Sequence, residues 1–313
     1  MDYFSVIIPK LTSFFLLMLL GFSISKLKVI TREGLGVLSS LLIKVCLPCL
    51  IINLLYTRGT RFQDLVSYHK VLGWQAAGYL LLALLGFATV KLARIKPPAS
   101  NVHMGDMLGG NIGFFIIPVL VALFKDGNGA EYIPVCTAMD TLIVWSFGLA
   151  LYTHGLGSRE EAWYVSLAKR LATPIFFSML GTLLFNSLGL RLPDLVAGTI
   201  ADIGTVSSTL GLVYVGCSLC LMRKVKLESL RRVWLLVLTK QVLVPLLVWF
   251  LSSAMLTITE RLTLLLMLGA PVMSTSSMIA NQYKLDEDYA STAVFLTTIC
   301  SLVTIPLLLL IVL

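Results

Sequence analysis

Ten long apolar runs parted by short polar linkers constrain this chain more than any other feature. They occupy residues 6–25, 35–55, 71–90, 101–124, 133–152, 171–188, 195–222, 233–256, 262–283 and 289–312. Crossing the hydrocarbon core takes about 20 apolar residues in a helix. A backbone in lipid must also satisfy its own hydrogen bonds, which a helix does. Only 13% of the residues are charged and 58% are hydrophobic. A soluble domain carries about 25% charge, so this chain cannot cover a water-facing surface. The expected fold class is an all-α polytopic membrane protein with ten transmembrane helices. An ordinary soluble enzyme, a disordered chain and a disulfide scaffold are excluded. No phosphate-binding glycine loop, nucleophile elbow or metal-ligand run is present, so no enzyme, cofactor or metal site is expected. Residues 1–6 hold Asp2 and no basic residue, and the first run reads as a span rather than a cleaved signal.

A net charge of +8 points to nucleic acid only when it is clustered on a water-facing surface. Here the 24 Lys and Arg lie mostly between apolar runs. Fifteen follow odd-numbered runs and six follow even-numbered ones. Basic residues concentrate in cytoplasmic loops. The odd linkers are therefore expected in the cytoplasm and both termini outside the plasma membrane, with lipid as the partner and no nucleic acid.

Runs four and nine are interrupted by Gly, Pro and small polar residues, which an intact lipid-facing helix does not need. They lie five runs apart, and five helices per half is an odd number. The second half is then inverted: residues 1–152 form a first five-helix repeat, 153–170 a cytoplasmic linker, and 171–313 a second repeat. Cys46-x-x-Cys49 in run two has a counterpart in Cys217-x-x-Cys220 in run seven. With no His nearby in sequence, these cysteines read as helix packing rather than zinc or redox chemistry. Inverted repeats with paired broken helices are a signature of secondary transporters, whose substrate sits where the breaks meet.

The stretch Gly110-Asn111-Ile112-Gly113-Phe114-Phe115-Ile116-Ile117-Pro118 resembles the fourth-span motif of the auxin efflux carrier family. Gly269-Ala270-Pro271, the polar residues 274–277, Asn281-Gln282-Tyr283 and residues 301–306 are similar to that family's ninth and tenth spans. Residues 41–55 with Leu47-Pro48 resemble its second span, and residues 140–145 its fifth. The resemblance implies a scaffold domain, a transport domain, crossing broken helices at the substrate site, and elevator-type movement of small organic anions. It also implies a homodimer.

Proline removes one N–H and crowds the carbonyl four residues back. Pro118 and Pro271, with Gly113 and Gly269, are thus expected to unwind their helices. Free backbone groups at membrane depth are tolerable where they line a cavity or meet a ligand, and half-helix N-termini attract a carboxylate. Asn111, Gly113, Pro118, Pro271, Ser274, Thr275, Ser276 and Ser277 are the candidate substrate-binding residues. The plainer alternative is a pair of kinks in packed helices. Ionisable residues inside spans are functional candidates by default. Asp140, roughly 12 Å into its span at 1.5 Å per residue, is the first candidate to bind a coupling proton or sodium ion. Lys44 is the second. Asp106, Asp202, Lys10 and Lys240 are expected to reach interfacial water, and His69, His103 and His154 to lie at span ends. His103 and Asp106, spaced i and i+3, share one helix face. Two alternatives are a sodium-coupled carrier of bulkier amphipathic acids and a non-transporting sensor using the same pocket.

Overall fold

The computed structural model describes residues 3–124, 129–155, 172–221 and 227–312. Among them every regular element is helical, and the single β-type pairing is an antiparallel bridge between Gly110 and Val272. Helix falls on each of the ten apolar runs. Among the described residues six helices are long and apolar enough to cross a membrane: Arg32–Thr57, His69–Leu92, Tyr132–Tyr152, Asp194–Leu221, Ser229–Leu251 and Glu287–Val312. The central linker from residue 156 on lies outside the described residues, as do the basic residues at 159, 169, 170 and 223–226. A short helix, Phe62–Ser67, was not expected; the Asp64 carboxylate caps it by accepting from the Arg61 N–H at 2.7 Å.

Four helices contain a wide π turn: Leu42–Cys46, Ile112–Ile116, Val144–Gly148 and Val237–Leu243. Three of the four end just before a proline, namely Pro48, Pro118 and Pro245. Proline offers no N–H to the carbonyl four residues back. A π turn shifts the bonding pattern by one residue and absorbs that mismatch without breaking the helix.

The described chain divides into two compact units, each drawing on both halves of the sequence. The first comprises Met1–Leu72, Gly113–Thr141 and Ala172–Leu221. Its main packing is Tyr3–Lys26 against Asp194–Leu221. Gly21 lies on the backbone of Val213, and Gly216 on the backbone of Met18; a Cβ at either glycine overlaps the facing carbonyl. Small residues allow this approach, and in lipid such close packing is a principal source of helix association. Cys217 donates its thiol to Gly21 O at 3.2 Å in the same contact. All six cysteines are free thiols, in keeping with a packing role.

The second unit comprises Gly73–Ile112, Leu142–Leu171 and Met222–Leu313. It holds the helix Ala99–Leu108, which is buried along nearly its whole length, and the helix Ile258–Leu268. Both stop at non-helical segments, and these two segments form the Gly110–Val272 bridge.

Candidate functional site

The first break spans residues 109–111 and the second spans 269–275. Gly109 and Gly110 permit a close backbone approach: a Cβ on Gly110 would sit 3.0 Å from the Ala270 Cβ, and one on Gly109 2.9 Å from the Met273 Cε. Across the gap the Asn111 N–H donates to Pro271 O at 2.7 Å, and the Met273 N–H donates to Gly109 O at 3.1 Å. The Val272 N–H donates to Thr297 Oγ1 at 3.0 Å, and Lys240 Nζ donates to Met107 O at 2.8 Å. Groups freed by unwinding are thus paired with one another or with neighbouring side chains, as a buried backbone demands.

Two side chains at the bridge remain unpaired. Asn111 Nδ2 and Ser274 Oγ are buried and have no hydrogen-bond partner among the described residues. Asn111 is 3% exposed and Ser274 1%. A buried donor left unmade costs about 1–3 kcal/mol, so such groups invite a ligand. The second arm, Ser276–Gln282, offers less than expected. Its Ser276, Met278 and Ile279 N–H groups already donate to Met273 O, Thr275 O and Thr275 O. Side-chain donors are therefore better placed to serve an anion than these three N–H groups.

Next to the bridge lies an acidic cluster. Asp106 is fully buried; its Oδ1 accepts from Tyr152 Oη and from Ser276 Oγ, both at 2.5 Å. Its Oδ2 has no hydrogen-bond partner among the described residues. Tyr152 is seated by Gly105, where a Cβ would overlap the tyrosine ring. Three residues before Asp106, His103 is also fully buried. Thr89 gives its hydroxyl proton to Gly86 O at 2.8 Å and therefore accepts from His103 Nε2–H at 2.8 Å. His103 Nδ1 then accepts from the Tyr289 hydroxyl at 2.7 Å. Among the described residues no group of three or more His, Cys, Asp or Glu is placed to hold a metal ion.

Of the expected site residues, Asn111, Pro271, Ser274, Thr275 and Ser276 are buried at the bridge, and Ser277 is half-buried at the start of the second arm. Gly113 and Pro118 belong to the first unit. Unwinding occurs upstream of them, at Gly109 and Gly110. Pro118 follows the π turn within the continuous helix Ile112–Leu123, and that turn absorbs the missing N–H without a break. Asp140 is buried and Lys44 is exposed, both in the first unit.

Three residues are placed otherwise than the sequence suggested. His103, Asp106 and Lys240, expected at span ends or snorkelling to water, are at most 1% exposed. An unbroken helix over residues 101–124 would put Asp106 near its mouth, but the real arm is ten residues long and ends at the break. Proximity to the break, not distance from the loop, sets its depth. Lys240 sits midway along Ser229–Leu251, within the π turn. Asp202 is exposed, as expected.

A family model described as membrane transport protein matches residues 6–309. Comparison with curated proteins returns no match.

Proposed function

Because this chain belongs to the auxin efflux carrier family of membrane transport proteins, we propose that it is a secondary carrier of small organic anions. Family membership and the apolar helices make it a multi-pass membrane protein. The reading extends to ten spans in two inverted repeats, both termini outside the plasma membrane, a homodimer, and elevator-type alternating access. The unit with both breaks is the moving body. One observation carries the anion assignment: Asn111 Nδ2 and Ser274 Oγ, two buried groups able to donate, have no partner among the described residues and lie on opposite segments of the Gly110–Val272 bridge. A carboxylate offers two oxygens and about four acceptor positions, which matches donors approaching from two sides. Pro271, Thr275, Ser276 and Ser277 shape the second segment.

The test is counterflow in proteoliposomes with a panel of labelled mono- and dicarboxylates. The reading expects saturable exchange of at least one acid by the purified protein. Ligand-induced thermal stabilisation without any exchange would instead identify a sensor. Exchange confined to bulky amphipathic acids and strictly dependent on sodium would identify the sodium-coupled alternative.

A further inference from the structure

The Asp106 cluster adds something that anion binding alone does not require. One oxygen of this carboxyl accepts two hydroxyl bonds, while the other has no hydrogen-bond partner among the described residues. If Asp106 is ionised, Oδ2 lacks a donor; if a proton sits there, that O–H lacks an acceptor. In either state the group is incomplete, and an unmatched buried polar atom calls for an explanation. The bonding partners come from several elements. Ser276 belongs to the second arm, Tyr152 to the end of Tyr132–Tyr152, and Asp106 itself to the first arm. One carboxyl therefore ties the two arms together.

The charged and titratable surroundings are mixed. Lys240, from Ser229–Leu251, acts electrostatically on Asp106, as Tyr152 does through its hydroxyl. Tyr289, from Glu287–Val312, lies in the field of Asp106 and also in that of Arg232 and Asp286. His103 on the same helix is held between Thr89 and Tyr289. Two hydroxyls thus bond one oxygen of this acid, a third hydroxyl on Tyr289 lies in its field, and its second oxygen has no hydrogen-bond partner among the described residues.

We infer that Asp106 is the proton-carrying site of the transport cycle, so that the organic anion moves together with a proton. This rests on the carrier reading above. The proton adds to Oδ2, one O–H bond forms, and the carboxylate becomes a neutral acid; the reverse step returns the proton to water on the other side. An anion entering beside Asn111 and Ser274 meets an ionised Asp106 as a like charge in a low-dielectric site. Protonation removes that repulsion, so anion and proton each favour the other's binding by the same factor. It also weakens Oδ1 as an acceptor, which loosens Ser276 and with it the second arm.

Two measurements decide the matter. Infrared difference spectra of the purified protein between acidic and alkaline buffer should show a protonated-carboxyl band that Asp106→Asn lacks and the exposed-site control Asp202→Asn keeps. Tyr152→Phe, which removes one donor to Oδ1, should shift that band. In proteoliposomes showing counterflow, an inward proton gradient should drive accumulation of the same labelled acid. Measured against its own counterflow, Asp106→Asn should lose gradient-driven accumulation by about tenfold or more. A band unchanged in Asp106→Asn would overturn the proposal. So would accumulation that follows sodium alone, or that is lost in Asp140→Asn but kept in Asp106→Asn. If the wild-type protein exchanges no acid, the carrier reading fails by itself, and the infrared band still decides whether Asp106 takes up a proton.

Discussion

The glycine contact of the first unit and the bridge of the second solve the problem of joining helices in opposite ways. Where Tyr3–Lys26 meets Asp194–Leu221, Gly21 and Gly216 bring backbone onto backbone. In the same unit, the Asn186 side chain donates to both Leu55 O and Thr60 O, at 3.0 and 2.9 Å. At the bridge, two helices are interrupted, Lys240 and Thr297 are drawn in to bond the freed backbone groups, and Asp106 accepts from the Ser276 hydroxyl. An amide, a carboxyl oxygen and a hydroxyl there still lack partners among the described residues. Close packing with its polar groups paired makes a contact that has no reason to exchange. Polarity with incomplete pairing makes one that can take a ligand or a proton.

That contrast sets the order of expected effects on stability, each read from thermal or denaturant unfolding in detergent. Gly21→Leu should be the most damaging, at about 3 kcal/mol or more, because the new side chain meets the Val213 backbone and cannot repack. Lys240→Met should cost about 2 kcal/mol, since Met107 O loses a charged donor. Thr297→Val should cost about 1.5 kcal/mol by leaving the Val272 N–H unmatched. Asn111→Ala should be nearly silent, within about 1 kcal/mol, because its Nδ2 gives up no bond. If Asn111→Ala unfolded the protein as readily as Gly21→Leu, the distinction between a packed contact and a ligand-ready one would collapse.

The apolar runs were legible because lipid leaves few options to a backbone, and each run carries helix where described, with runs four and nine interrupted at the two breaks. The breaks were legible as a pair from the glycines and prolines of residues 109–118 and 269–271. The second falls where Gly269 and Pro271 put it; the first does not fall at Gly113 and Pro118. Proline marks where a bond is missing, but a π turn can absorb the loss, as at Pro118, and the Gly109-Gly110 pair breaks the helix instead. Depth was hidden for the same reason. Counting inward from a loop assumes an unbroken helix, so Asp106 and His103 were placed at a mouth although both are fully buried. Their i, i+3 spacing was the one visible sign that they share a buried helix face. Lys240 looked able to snorkel because a lysine stem is long; only the fold reveals that Met107 O waits for it. The partners of Asp106 are 46 and 170 residues away, beyond the reach of any local pattern.

The central claim is that the bridge between the two breaks is a substrate site, and Asn111→Ala tests it most directly. Wild-type and variant protein should unfold at nearly the same temperature, while the variant's counterflow of the transported acid falls about tenfold or more, as loss of an anion-binding donor implies. Wild-type exchange by a folded Asn111→Ala protein would contradict it.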